Sequence, residues 1–202
     1  MFEILWDRTP YLAGGFATNL LISILSMGLG TAIGGLLGLV RSRAPRGGDW
    51  LARQATNVCR NVPSFVLLFY MAFMLPSEID LAGRIIAVPV WIKATLALTF
   101  PVIGFASDQS LGYFAQRRDN IAGALDTFVI AWIQYFLIII MASATASVIG
   151  ADEIVGRANL ILAQDGSPTF LLVTYLYVSA WFLIAGLAMS ALTLWLTRHR
   201  SG

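Results

Sequence analysis

Asp108 is the one carboxylate set inside a long apolar stretch, 15 residues beyond Lys93 and 9 before Arg117, with Ser107, Gln109 and Ser110 around it. A charge held at that depth in a bilayer costs roughly 3 kcal/mol on insertion scales, so it must face a polar interior or a partner. Two readings follow. In one, Asp108 and Gln109 line a path for a polar solute or hold a gate. In the other, the apolar stretch ends early and Asp108 sits at the interface, hydrogen-bonded to helix ends. A second group of candidates lies in Ala142–Ser147, where Ser143, Thr145 and Ser147 follow the bulky Ile138-Ile139-Ile140, with Gln134 one or two turns away. Such a small, hydroxyl-bearing face either lines a pore or packs tightly, its hydroxyls bonded back to their own helix. Catalysis has little to work with. The single histidine, His199, stands at the far end of the sequence, and Cys59 has no histidine beside it; the only adjacent acids, Asp152-Glu153, read as a helix N-terminus. No Cys/His spacing suits a metal, and one cysteine makes no internal disulfide.

The elements that must position these residues are apolar. The chain is 58% hydrophobic and 12% charged, about half the charge of a soluble domain, roughly 25%. A water-soluble globule is excluded, and a formal charge of +2 without a basic stripe excludes a nucleic-acid binder; the expected partner is the lipid bilayer. Runs of 32, 17, 25 and 32 uncharged residues separate Arg8 from Arg41, Arg60 from Glu78, Asp126 from Asp152, and Asp165 from Arg198; a fifth run, Lys93 to Arg117, is broken only by Asp108. A bilayer core takes about 20 apolar residues as a helix, whereas β-barrel strands would be about 10 residues with alternating polarity. The expectation is an all-α membrane protein: one domain over 1–202 forming a five-transmembrane-helix bundle, with spans near 13–40, 61–77, 90–114, 127–149 and 168–197.

Arginine and lysine favour cytoplasmic loops. With the N-terminus outside, nine of the basic residues fall inside and four, Arg8, Arg84, Lys93 and Arg157, outside. The C-terminus is therefore expected in the cytoplasm. Pro45 and Gly47-Gly48 mark a cytoplasmic turn, after which Asp49 would cap an amphipathic stretch, Trp50 to Arg60, lying near the inner interface. Asp152 to Gln164 reads as an outer-surface helix ended by Asp165-Gly166-Ser167-Pro168. Gly30, Gly34 and Gly38 give the first span a smooth face, suited to helix packing within the bundle or to a dimer or sliding interface.

Two stretches then carry a family resemblance. Arg60-Asn61-Val62-Pro63-Ser64-Phe65-Val66-Leu67-Leu68-Phe69 resembles the R-G-T-P-L-L-V-Q-L-F segment of polar-amino-acid ABC importer permeases, with Asn61-Val62 in place of Gly-Thr. Thr145-Ala146-Ser147-Val148-Ile149-Gly150, with Glu153-Ile154 and Arg157-Ala158 after it, resembles their T-S-L-A-S-V-I-G segment; Met141-Ala142 stands where many relatives have Lys-Asp. The resemblance implies a type I ABC importer permease-like fold in the cell inner membrane, half of a pathway for a small polar solute such as an amino acid, an osmolyte or an opine. Implied partners are cytoplasmic ABC ATPase subunits, a second permease subunit and a periplasmic solute-binding protein; no cofactor is implied, and ATP hydrolysis belongs to the ATPase. The E-A-A coupling loop that docks on the ATPase is matched only by Asn120 to Asp126, with Asn120, Ala122 and Asp126 at its key places and Arg117 and Arg118 before it. It is short by about one loop helix. A subunit with so little to dock implies a heterodimer with a complete permease, or a non-transporting assembly or regulatory subunit.

Overall fold

The structure, a computed structural model, describes residues 2–44, 49–81, 83–164 and 167–200. The expected turn at Pro45 and Gly47-Gly48, and the Asp165-Gly166 helix stop, lie outside the described residues. A short helix, α1 (Phe2–Asp7), precedes α2 (Thr9–Arg43), α3 (Trp50–Asn61) and α4 (Ser64–Met74). An antiparallel hairpin of β1 (Glu78–Leu81) and β2 (Arg84–Ala87) leads to α5 (Val90–Arg118) and α6 (Ala124–Ser143), which a 3-10 segment continues over Ala144–Ile149. α7 (Ile154–Leu162) and α8 (Pro168–Arg200) complete the order.

Among the described residues four helices are long and apolar enough to cross a bilayer: α2, α5, α6 with its 3-10 extension, and α8. α5 is the most buried of them and stands at the centre. Its neighbour α2 runs parallel to it, because Gly30 meets Thr99 and Val102, Gly34 meets Ile103 and Ala106, and Gly38 meets Ser107 and Ser110. A Cβ on Gly30, Gly34 or Gly38 would come within 2.4, 2.5 or 2.7 Å of those atoms, so all three positions require glycine for backbone approach. The smooth face is thus covered inside the chain by α5.

The second pass differs from the expected 61–77. Only Ser64–Met74 is helical there, about 16 Å of rise, too short for a hydrocarbon core of about 30 Å. α3 precedes it and both pack along α5: in α3, Thr56 meets Ser107 and Arg60 lies against Gly104, and Lys93 reaches Ala72 in α4. α3 and α4 together run antiparallel to α5 as one helix broken at Pro63. Proline lacks the N–H that would continue the ladder and forces the residue before it out of the helical region, and Val62 is accordingly extended at φ −75° and ψ 124°. Asp49 does not cap α3; its own backbone is helical, and its carboxylate pairs with Arg53 one turn on.

Lys93, counted on the outer side and inside the expected span 90–114, is buried in the first turn of α5, where its ammonium donates to Leu75 O at 2.8 Å and Ala72 O at 3.3 Å. Those are last-turn carbonyls of α4, which have no intrahelical donor and face the negative end of the helix dipole, so a cation satisfies both needs. α6 returns antiparallel to α2, with Trp132 Nε1 donating to Thr31 Oγ1 at 2.9 Å near one end of the pair and Asn19 meeting Ser143 near the other. α7 is amphipathic as expected, with its apolar face packed. Ile154, Ala158 and Ile161 are buried with Leu5, Leu12 and Phe170, which locks α1, α2, α7 and α8 together at one end. The outward faces of α6 and α8 carry exposed Ile138, Met141, Leu183, Ile184 and Leu187, the pattern of a lipid-facing surface.

Candidate functional site

Two polar clusters and one turn hold the residues of interest. The first cluster gathers around Asp108. Its Oδ1 accepts from Arg41 Nη1 at 2.8 Å and its Oδ2 from Arg60 Nη1 at 3.0 Å, so one carboxylate joins α2, α3 and α5. The same Arg41 nitrogen lies 2.9 Å from Ser107 Oγ and 3.4 Å from Thr56 Oγ1, and those two hydroxyls share a hydrogen bond of 2.8 Å. Two guanidiniums on one carboxylate leave a net positive charge, with Arg41 only 12% exposed and Arg60 54% exposed. Desolvating charges is costly, and an ion pair offsets that cost only where its hydrogen bonds are made, as they are at the Asp108 oxygens. Arg41 was the missing counter-ion. Counting charges between spans sets Arg41 and Arg60 in loops, while their long side chains reach inward from helix ends.

The second cluster sits at the opposite end. Glu153, fully buried, caps α7: Oε1 accepts from Gly156 N at 2.7 Å and Oε2 from Val155 N at 3.0 Å and from Asn19 Nδ2 at 2.9 Å. Asn19 also donates to Ser143 Oγ at 2.9 Å and accepts from Ile154 N at 3.1 Å, while Ser143 donates to Ile140 O. Burial pushes the Glu153 carboxyl above its ordinary range, against the pull of these donors. Beside it Arg157 pairs with Asp152 at 2.7 Å and holds that carboxyl below the usual carboxylate range. Arg157 also lies 4.7 Å over the Tyr11 ring and donates to Tyr11 O, and its guanidinium occupies the space a side chain at Gly14 would need. Asp152-Glu153 is therefore a helix N-terminus, with only Glu153 as the cap. The adjacent Gly14 and Gly15 admit α7, and were not singled out from the sequence.

The remaining solute-path candidates are dispersed. Gln109 borders a small cavity of about 20 Å³ between α5 and α6, with Gly112, Tyr113 and Gln116. Gln134 is exposed in a groove of about 290 Å³ between α6 and α8. Thr145 and Ser147 donate to Ala142 O and Ala144 O three residues back in the 3-10 segment, Thr145 exposed and Ser147 half-buried. Only Ser143 joins a cluster.

The turn joins α5 to α6. Arg117 and Arg118 close α5, Ile121 N returns to Gln116 O, and Asn120 at φ 54° and Gly123 at φ 80° reverse the chain, so α6 starts at Ala124 with Asp126 in its first turn. Asn tolerates the left-handed region that the reversal requires, and glycine adopts it freely. Ala122 is exposed within this turn, and residues 119–123 contain no helix. As an arrangement for chemistry the clusters hold charges and hydrogen bonds between helices; they bring no base to a nucleophile, and the described residues contain no group of three or more His, Cys, Asp or Glu side chains placed to hold a metal.

No protein-family model matches the sequence, and a search of curated proteins finds no match. Solved structures do match. One is a chain of an amino acid ABC transporter with histidines, at a TM-score of 0.78 and 18% identity, covering 98% of this chain and 98% of that one. Another is from the MetNI methionine ABC transporter in inward-facing conformations, at a TM-score of 0.60 and 17% identity over 96% and 97%. At such identities the likeness concerns fold, and it extends end to end: this is an all-α, type I permease-like bundle of the kind found in ABC transporter membrane subunits.

Proposed function

We propose that this chain is a permease subunit of an ABC importer in the inner membrane, with its N-terminus periplasmic and its C-terminus cytoplasmic, forming half of the pathway for a small polar solute of the amino-acid class. The observation that supports this most is the end-to-end likeness to a chain of an amino acid ABC transporter. Hydrolysis of ATP falls to separate ATPase subunits, and a periplasmic binding protein delivers the solute. The polar cluster on Asp108 gives such a bundle a set of contacts between α2, α3 and α5 that can differ between two states.

The short α5–α6 turn bears on the partners. An ATPase transmits motion only through a segment that contacts it differently in the two states, and residues 119–123 offer a tight reversal flanked by Arg117 and Arg118. The reading is a heterodimer in which a second, complete permease supplies the docking helix. Reconstitution tests it: this chain with ATPase and binding protein, with and without a complete permease. Solute-stimulated ATP hydrolysis and uptake are expected only with the second permease. Uptake by this chain alone would remove the heterodimer requirement, and the absence of any ATPase from native copurifications would favour a non-transporting assembly subunit.

A further inference from the structure

Between the last turns of the parallel helices α2 and α5 lies a cavity of about 330 Å³, floored by Leu39, Leu111 and Phe114 and edged by Arg41, Arg43 and Arg118. That volume falls within the roughly 300–1,000 Å³ of small-molecule sites, and no acidic side chain lines it. The charge there is only partly answered. Arg41 shares Asp108 with Arg60, and its Nε is buried with no hydrogen-bond partner. Arg118 has Asp119 at 3.7 Å, both well exposed, and Arg43 makes no ion pair among the described residues. Helix C-termini favour cations, which accounts for one arginine at each end but not for three lining one groove.

We propose that this cavity holds the phosphate of an anionic phospholipid, with Arg43 and Arg118 on the phosphate oxygens, Arg41 supplying field from below, and one acyl chain descending along Leu39, Leu111 and Phe114. Guanidinium forks match phosphate geometry, and basic pockets between transmembrane helices are suited to anionic headgroups. The apolar floor selects a lipid over a free anion, since a soluble phosphate leaves that floor wet.

Native mass spectrometry of the full chain in zwitterionic detergent, loaded with phosphatidylglycerol or phosphatidylcholine of matched acyl chains, tests this. The chain should retain phosphatidylglycerol selectively. Each basic side chain near an anionic lipid contributes about fivefold in affinity, so Arg43→Gln with Arg118→Gln should lower retention roughly 20-fold. Arg53→Gln with Arg117→Gln, which removes the same charge at the same end but outside the cavity, should leave retention within about twofold. Equal loss in both pairs would reduce the effect to diffuse surface charge, and equal retention of phosphatidylcholine would reduce it to an apolar groove; either overturns the site. A rise in melting temperature with millimolar inorganic phosphate would reassign it to a soluble anion. Should the glutamine pair fail to fold, Arg43→Glu, at an exposed side chain, carries the same expected loss of phosphatidylglycerol, and full retention by it overturns the site.

Discussion

Asp108 holds two arginines, and that pairing sets what its removal does. Asp108→Asn leaves Arg41, which is mostly buried, without a counter-charge, facing a neutral amide and the hydroxyls of Ser107 and Thr56. Breaking one side of a largely buried ion pair costs about 2–4 kcal/mol, so the variant should melt earlier in detergent. Arg41→Gln in the same chain should recover part of that loss, because the two sites are coupled. Additive effects in the double-mutant cycle would assign the loss to something other than the pair. Glu153 responds to pH in the opposite sense to a salt-bridged acid. Its carboxyl is raised in the folded chain from an ordinary value of 4.5, so its folded state favours the proton. The contribution is complete below that ordinary value and is lost as pH rises through the raised one. Thermal melts of the chain and of Glu153→Gln should therefore diverge as pH rises through that window, the parent losing stability relative to the variant; parallel curves would mean that Glu153 does not titrate there. Asp152, held low by Arg157, works the other way, and its small, solvent-screened contribution fades as pH falls below its ordinary 3.8.

Glycine spacing decides how α2 and α5 meet, and two substitutions separate packing from propensity. Gly34→Ala puts a methyl 2.5 Å from Ile103 O and should cost about 1–3 kcal/mol, while Gly28→Ala meets nothing within 4 Å and should stay within about 1 kcal/mol of the parent. Equal effects in chemical denaturation would place the α2–α5 contact elsewhere. The long helices were legible because a bilayer penalises charge, so gaps between charges outline α2, α5, α6 and α8 directly. The second pass was not. Its helix is only Ser64–Met74, and the polar Arg53, Asn57, Arg60 and Asn61 of α3 give no sign that α3 packs along α5, where Gly104 opens a slot for Arg60. The hairpin had a signal, Ile79 and Ile86 paired across a reversal at Gly83, that gaps between charges do not register. Of the candidate site, Asp108 and Ser143 stand out by type and depth, but their partners Arg41, Arg60 and Asn19 come from 48 to 124 residues away, and proximity over such separations belongs to the fold.

At the scale of the whole molecule the four long helices and the α3–α4 pair alternate in direction, so α2, α5 and α8 end on one side with α3 and α6 beginning there. The other side holds α1, the hairpin and α7. Reporter fusions should therefore place Asp80 and Arg198 on opposite faces of the membrane, with the Arg198 face cytoplasmic by the arginine bias. Signals from one face would break the alternation itself. The ends also differ in build. One is closed by the apolar cluster of Leu5, Leu12, Ile154 and Phe170 and by a capped helix, with the Asp152–Arg157 pair at its surface; the other is joined across three helices by charge, through Asp108 and its two arginines. Rearrangement between states is expected at the charged end first, since ion pairs exchange with water and partners more readily than a close-packed apolar cluster separates.

The ammonium that caps α4 belongs to the sole lysine in the sequence, and it is 4% exposed. Lysine acylation by a water-soluble reagent has no other side chain to modify, and it reaches Lys93 only while the end of α4 is lifted from α5. The extent of lysine acylation over time, read on the peptide carrying Lys93, is a built-in clock for that opening.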